Sequence, residues 1–100
     1  MAKRARTAKA DRKEWARGFY LLSDPTRLGV LGELAKGPMN VGALCEALGR
    51  NQPQVSHHLG LLRMGGLISG RRQGKSMVYT ADKAALKALG AALGKLAPRR

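Results

Sequence analysis

The sequence predicts a small, mostly α-helical domain that carries one β-hairpin. Three observations support this prediction. The chain has 100 residues, apolar residues recur at helical spacing along most of it, and short alternating runs replace that spacing between residues 67 and 80. A chain of this length is expected to form one domain. Its hydrophobic content of 44% argues against disorder along the whole chain.

The first predicted helix runs from about Ala8 to Leu22. Trp15 and Phe19 lie four residues apart, and Leu22 follows three residues later, so the three side chains share one face. Asp24 is a suitable N-cap for a second helix, and Pro25 is tolerated in its first turn.

The second helix is predicted to bury a stripe formed by Leu28, Leu31 and Leu34. The sequence Lys36-Gly37-Pro38 is typical of a helix end. A short third helix then follows over residues 41–48, with Asn40 as N-cap and Gly49 after its last turn. Its predicted apolar face consists of Val41, Leu44, Cys45 and Leu48.

The fourth predicted helix begins after Asn51 and ends near Met64, before Gly65-Gly66. Asn51 and Gln54 have the spacing of a capping box, and Pro53 lies in the first turn. The spacing of Val55, Leu59 and Leu62 predicts that they point into the core.

Two short strands are predicted over residues 67–72 and 76–80, joined by a tight turn at Gln73-Gly74-Lys75. The last helix is predicted from about Ala81 to Leu96, with Asp82 in its first turn. Its leucines recur with 3-4-3 spacing, which favours contact with another helix. An alternative is that this helix frays after Gly90.

The predicted order of elements is that of a winged helix-turn-helix, in which the fourth helix reads DNA and the hairpin is the wing. Residues 51–62 contain no charged side chain, which suits a surface that lies against base edges, although burial against protein is an alternative. Amide and hydroxyl side chains can pair with base edges, and the basic hairpin tip can contact phosphates, unless it is only a solvated turn. The predicted DNA-binding residues are Asn51, Gln52, Gln54, Ser56, His57, Gly60, Arg63, Arg71, Arg72 and Lys75.

The charge of the chain points to a polyanionic partner. Lys and Arg number 19 and Asp and Glu number 6, so the net charge is +13. Residues 1–8 are predicted to be a basic, flexible N-terminal arm, and residues 9–97 a DNA-binding and dimerisation domain. The arm either adds phosphate contacts or serves only as a solubilising tail.

Three segments together resemble the ArsR/SmtB family of bacterial winged-helix repressors. They are Leu22-Ser23-Asp24-Pro25-Thr26-Arg27-Leu28, Val55-Ser56-His57-His58-Leu59, and Leu61-Leu62-Arg63 followed by Gly66-Leu67-Ile68. The resemblance implies a homodimer built by the first and last helices, which binds an imperfect promoter palindrome and represses transcription. The predicted dimerisation residues are Trp15, Phe19, Leu22, Leu86, Leu89 and Leu93.

Many members of that family release DNA on binding a metal, but the ligand pattern of the two common sites is missing here. Asn40 and Gly42 stand where one site has a Cys-x-Cys pair, and Ala84 stands at the first His position of the other, although Asp82 is retained. No metal, cofactor or catalytic residue is therefore predicted. Whether the protein responds to any small-molecule effector is not predicted.

Cys45 is the single cysteine, so it cannot form an intrachain disulfide. It is expected to be a buried, inert core residue, and the alternative is a redox-sensing thiol. His58 is expected at the edge of the core as a structural residue rather than a metal ligand.

The predicted function is a sequence-specific DNA-binding regulator in the cytoplasm. The alternative is a general nucleic-acid or nucleoid protein that binds through charge alone. An enzyme is excluded because the sequence has no nucleophile with a credible base, no carboxylate pair and no phosphate-binding glycine motif. No apolar run of membrane-spanning length is present, and a membrane-surface role for the basic arm is disfavoured because Trp15 and Phe19 are expected to pack in the dimer.

Overall fold

The computed structural model describes residues 8–99, so the predicted arm over residues 1–8 lies almost entirely outside the described residues. The elements are five helices and three short strands. They are α1 (Ala8–Leu21), α2 (Pro25–Leu34), β1 (Met39–Asn40), α3 (Val41–Leu48), α4 (Gln52–Met64), β2 (Ile68–Gln73), β3 (Ser76–Ala81) and α5 (Lys83–Leu96). This order and arrangement is the winged helix-turn-helix that the sequence predicts.

Local capping chemistry determines where the helices begin. Asp24 accepts hydrogen bonds from the backbone N–H groups of Thr26 and Arg27, at 2.8 and 3.0 Å. Asn40 and Asp82 each accept one from the third residue of the helix that follows, at 2.8 and 2.9 Å. These side chains satisfy donors that have no partner inside the helix, so the predicted starts of α2 and α3 are confirmed.

The last helix starts later than predicted. Ala81 belongs to β3, and Asp82 is the N-cap of α5 rather than a first-turn residue. The side chain of Asp82 satisfies the N–H of Ala85 only from this position, which places the boundary at Lys83. The helix continues through Gly90 to Leu96, so it does not end at the glycine.

The wing is a β-hairpin with a third strand beside it. The strands pair antiparallel in the order β1-β3-β2, with Gly70 opposite Tyr79 and Gln73 opposite Ser76. Gly74 turns the hairpin with φ of 61°, a left-handed conformation that favours glycine. The sequence did not predict β1, whose Met39 also pairs with Tyr79.

One hydrophobic core joins α1 through α5 and the base of the wing. Val30, Leu44, Val55 and Leu62 are completely buried, which confirms the predicted inner face of α4. Helix α1 approaches α5 where Gly18 meets Leu89, and a Cβ atom on Gly18 would lie 2.6 Å from Leu89 Cδ2. The core residues are Leu21, Val30, Leu31, Leu34, Leu44, Val55, Leu59, Leu62, Leu67, Ile68 and Leu89.

The predicted stripe on α2 is partly wrong. Leu31 and Leu34 are buried, but Leu28 is 52% exposed and Val30 occupies the core instead.

Cys45 is half-buried against the core rather than fully buried. Within residues 8–99, no helix combines the length and the apolar character that a bilayer crossing needs.

Candidate nucleic-acid interface

Helix α4 presents a polar surface opposite its core face. Its inner residues Val55, Leu59 and Leu62 are buried. On the outer side, Gln52, Ser56 and His57 are exposed. At Gly60 an added Cβ atom would meet no other group within 4 Å, so the helix backbone is accessible there. The outer surface is therefore polar, uncharged and open over its first two turns.

A capping box fixes the start of α4. Asn51 Oδ1 accepts from the N–H of Gln54 at 3.0 Å, and Gln54 Oε1 accepts from the N–H of Asn51 at 3.4 Å. This arrangement confirms the predicted capping box. It also occupies the carbonyl oxygen of Gln54, while both side chains remain exposed at the positive end of the helix.

The wing supplies the positive charge that α4 lacks. Arg71, Arg72 and Lys75 are all exposed at the end of the hairpin. Strand β2 packs against α4, so the base of the hairpin is anchored to this helix. Arg63 is exposed in the last turn of α4, where a cation also stabilises the negative end of the helix.

A buried polar cluster lies behind α4. Arg27 is only 6% exposed, and its Nε donates to the carbonyl of Leu21 at 2.6 Å. Its Nη1 lies 3.2 Å from His58 Nδ1 on α4. Asp24 Oδ2 lies 3.9 Å from the same imidazole nitrogen. His58 is therefore a partnered histidine at the edge of the core, as predicted.

The cluster shifts two pKa values. Hydrogen bonding from the Arg27 N–H is the main cause that lowers the pKa of Asp24 below its ordinary 3.8. Burial is the main cause that lowers the pKa of His58 below 6.5, and Arg27, His57 and Arg50 lower it further against the opposing effect of Asp24. His58 is accordingly neutral near pH 7.

Sequence reasoning missed Arg27 as a buried residue. Its distinguishing signal is weak, because an arginine in the first turn of an amphipathic helix ordinarily faces solvent. The contact that explains its burial joins residues 31 apart in the chain, and helical periodicity carries no information about it.

The predicted dimerisation residues lie in α1, in the turn directly after it, and in α5. Leu89 is 7% exposed and belongs to the core of one protomer, whereas Leu93 is 59% exposed. Leu96, the last residue of α5, is 70% exposed. The remaining predicted residues are half-buried: Trp15, Phe19, Leu22 and Leu86.

Two residues that the family resemblance relates to metal sites have capping roles in the structure. Asn40 and Asp82 both act as N-caps through their side-chain oxygens. Among residues 8–99, no three His, Cys, Asp or Glu side chains come together as a metal-binding group.

Comparison with known proteins places this architecture among bacterial regulators. The pattern of a helix-turn-helix domain family matches residues 22–71. The arsenical resistance operon repressor of Escherichia coli is 47% identical over 62 residues, which are 61% of this chain and 53% of that protein. The transcriptional repressor SdpR of Bacillus subtilis is 35% identical over 69% of this chain and 77% of its own length.

A solved structure extends the similarity to the whole fold. The homodimeric winged helix-turn-helix DNA-binding domain of a possible ArsR-family regulator from Mycobacterium bovis superposes with a TM-score of 0.75. It is 29% identical, and the match covers 91% of this chain and 86% of that one. The match spans about half the length of the first curated relatives, so the similarity to them is confined to part of each protein.

Proposed function

This chain belongs to the ArsR family of helix-turn-helix regulators, and from that premise we propose that it is a sequence-specific DNA-binding transcriptional repressor. It binds a promoter palindrome as a homodimer, with α4 in the major groove. The observation that carries the proposal is the exposed, uncharged outer surface of α4 together with the exposed cations of the wing that packs on this helix. Uncharged hydrogen-bonding groups can discriminate base edges, whereas phosphate contacts by cations carry no sequence information.

Each part of this surface has its own role. Gln52, Ser56 and His57 read base edges, and Gly60 allows the backbone to approach the DNA. Asn51 and Gln54 present their amides at the positive end of α4, where phosphate is also favoured. The cations that contact phosphate are Arg63, Arg71, Arg72 and Lys75.

The dimer brings two reading helices to one face of the duplex. In this proposal α1 and α5 meet their copies through Trp15, Phe19, Leu22, Leu86 and Leu93, and Leu89 supports this surface from within the core of each protomer. The exposure of Leu93 and Leu96 supports it, because two large leucines in one helical region favour association. The homodimeric neighbour from Mycobacterium bovis supports the same assembly.

A selection from random duplexes tests the proposal. The full chain should enrich a two-fold symmetric sequence, and Ser56→Ala should weaken binding to that sequence while leaving binding to random duplex unchanged. Each lost base contact is worth about 1–3 kcal/mol. Recovery of no preferred sequence, with steep salt dependence, would instead favour a general nucleic-acid-binding protein.

We also infer that DNA binding does not respond to metal through the two common family sites. The capping roles of Asn40 and Asp82 support this inference, because Oδ1 of each side chain already accepts a backbone hydrogen bond. Operator affinity should be the same with and without added zinc, nickel or cadmium. A large metal-dependent loss of affinity would overturn the inference.

A further inference from the structure

We propose that Arg27 is a positioning residue for DNA reading, because its guanidinium joins the carboxyl end of α1 to His58 of α4. The proposal rests on the proposed function, since it concerns how the reading helix is held. Arg27 itself lies behind α4 and is buried, so it acts through His58 rather than by touching DNA.

One side of the guanidinium caps the carboxyl end of α1. Nε donates to the carbonyl of Leu21 at 2.6 Å, and Nη2 donates to that of Tyr20 at 3.4 Å. The last turn of α1 contains no basic residue of its own. Arg27 therefore supplies from α2 the positive charge that favours the carboxyl end of a helix. The ring of Tyr20, 5.6 Å from the guanidinium carbon, covers it.

The other side of the guanidinium holds the reading helix. Nη1 lies 3.2 Å from His58 Nδ1, and arginine can only donate, so Nδ1 is the acceptor. The contact fixes the neutral tautomer with its proton on Nε2 and fixes the orientation of the ring. His58 is next to His57 in the chain, and the side chain of His57 is exposed. The centroids of the two rings are 5.3 Å apart. Arg27 thereby sets the rotation of α4 about its own axis.

The charges around His58 are consistent with this role. Asp24 faces it from the N-cap of α2, Arg27 from α2, Arg50 from the turn before α4, and His57 from α4 itself. A protonated ring has no acceptor at Nδ1 and would place a second positive charge beside Arg27. The contact therefore exists only while His58 is neutral.

A purely space-filling role would not need an arginine. The three guanidinium hydrogen bonds among the described residues end on two carbonyls and an imidazole, and none ends on a carboxylate. An apolar side chain of similar volume would fill the same space without these hydrogen bonds. The directional contacts to two other helices are what such a replacement would remove.

The first test measures the contact in the free protein. The titration of His58 is followed by NMR in wild type, in Arg27→Met and in Arg12→Met, which removes an exposed arginine of α1. The pKa of His58 should rise in Arg27→Met, because a neighbouring positive charge is lost, and should stay unchanged in Arg12→Met. An unchanged pKa in Arg27→Met would show that the contact does not form.

The second test measures the consequence for DNA. Affinity for the selected duplex and for a random duplex is compared in Arg27→Met, His58→Phe, the double variant and His58→Asn. Binding to the selected duplex should fall roughly ten- to one-hundred-fold in either of the first two, the range expected for a hydrogen bond from a charged donor. The double variant should lose no more than one single variant, because both remove the same contact. His58→Asn retains an acceptor near Nδ1 and should retain most of the affinity.

The outcomes separate this proposal from the proposed function. If wild type prefers no sequence, the proposed function fails, and the role of Arg27 in reading fails with it, whatever the titration shows. If wild type keeps its preference and Arg27→Met does too, only the role of Arg27 is refuted. Additive losses in the double variant would also refute it. Should Arg27→Met not fold, the same cycle is measured with Arg27→Lys, which keeps the charge but lacks the forked geometry.

Discussion

Gln54 has one side-chain carbonyl oxygen for two contacts, the capping box and a base edge. A bidentate contact with adenine needs the amide nitrogen as donor and the carbonyl oxygen as acceptor. In the structure that oxygen accepts the N–H of Asn51 as part of the capping box. That oxygen has a second lone pair, but the capping box fixes its direction, so Gln54 can read a base in bidentate fashion only where the base edge approaches from that direction. Ser56 and His57 face no such constraint, which makes them stronger candidates for direct reading.

Gln54→Glu separates capping from DNA contact. Glutamate preserves the acceptor of the capping box, and its negative charge is favoured at the amino end of a helix. Stability should therefore be unchanged or rise by about 0.5 kcal/mol. DNA binding should fall strongly, because a carboxylate replaces a donor at a phosphate-facing surface. Thermal unfolding and fluorescence anisotropy measure the two effects. Equal DNA affinity in Gln54→Glu and wild type would place this residue outside the interface.

The burial of His58 predicts how stability depends on pH. Its pKa in the folded protein lies below the ordinary 6.5, so the unfolded chain binds more protons once the pH falls under that value. Stability should therefore be fully present above about pH 6.5 and should decrease as the pH falls toward the folded-state pKa. Urea unfolding at several pH values measures the slope, and His58→Asn should reduce it. A stability difference between the two proteins that is independent of pH would contradict this assignment.

At the scale of the element, the turn between α3 and α4 depends on Gly49. Its φ is 63°, in the left-handed region, and it follows the last residue of α3. Its N–H donates to the carbonyl of Glu46 at 3.4 Å, and the N–H of Arg50 donates to that of Cys45 at 3.1 Å. This pair of hydrogen bonds is a Schellman motif, which ends α3 and directs the chain into α4. The angle between the two helices is therefore built into the turn.

Two glycine substitutions should have opposite effects. Gly49→Ala should destabilise the protein by about 1 kcal/mol or more, because a side chain is strained at positive φ. Gly32→Ala, on the exposed side of α2, should stabilise it by about 0.5–1 kcal/mol, since an added Cβ meets nothing within 4 Å there. Chemical denaturation measures both. Destabilisation by Gly32→Ala as large as that by Gly49→Ala would show that left-handed strain is not the cause.

The wing should contribute affinity without sequence preference. Arg71→Ala should weaken binding to the selected and random duplexes by similar factors, because phosphates are present in both. It should also reduce the slope of log affinity against log salt by about 0.9 for each lost phosphate contact. The matched control is Lys36→Ala, which removes an exposed lysine that pairs with Glu33 instead. A loss confined to the selected duplex would mean that Arg71 reads bases.

Local chemistry made much of this fold predictable. The caps at Asp24, Asn40 and Asn51 each depend on residues within three positions, and all three are confirmed. The features that escaped prediction depend on distant partners. Strand β1 has two residues and exists because Met39 and Asn40 pair with β3, and Arg27 is buried because His58 is brought to it. Leu28 was misplaced because helical spacing fits both the observed and the predicted faces of so short a helix.

At the scale of the whole molecule, the exposed cations and the exposed leucines lie in two different regions. The described surface of α4 and the wing combines an uncharged outer face, the proposed reading face, with exposed cations. The outer side of α1 and α5 instead exposes Leu93 and Leu96, which a single protomer leaves in contact with water. Two copies joined through that region would cover these leucines and leave both reading faces open. The prediction of residues for this contact came from the family resemblance, because sequence periodicity alone cannot distinguish a core helix from a dimer helix.

Leu93→Glu should convert the proposed dimer into a monomer. A carboxylate buried against a second α5 would lose its hydration without gaining a partner, which costs several kcal/mol. The matched control Ala91→Glu adds the same charge to an exposed position on the opposite side of α5. Sedimentation at micromolar concentration should show monomers for Leu93→Glu and dimers for Ala91→Glu and wild type. Monomeric wild type would refute the dimer.

The spacing of the DNA half-sites tests the assembly as a whole. A two-fold symmetric dimer presents its reading helices about 34 Å apart, one turn of B-DNA, so both must enter the major groove on the same face. Inserting about five base pairs at the centre of the selected site turns one half-site to the opposite face. Wild-type affinity should then fall to that of an isolated half-site, whereas Leu93→Glu, binding as a monomer, should be indifferent to the insertion. The comparison is made by anisotropy on duplexes of equal length. Equal affinity of wild type for the original and the expanded site would mean that the two helices read independently, and that the rigid contact between α1, α5 and their copies does not control the register.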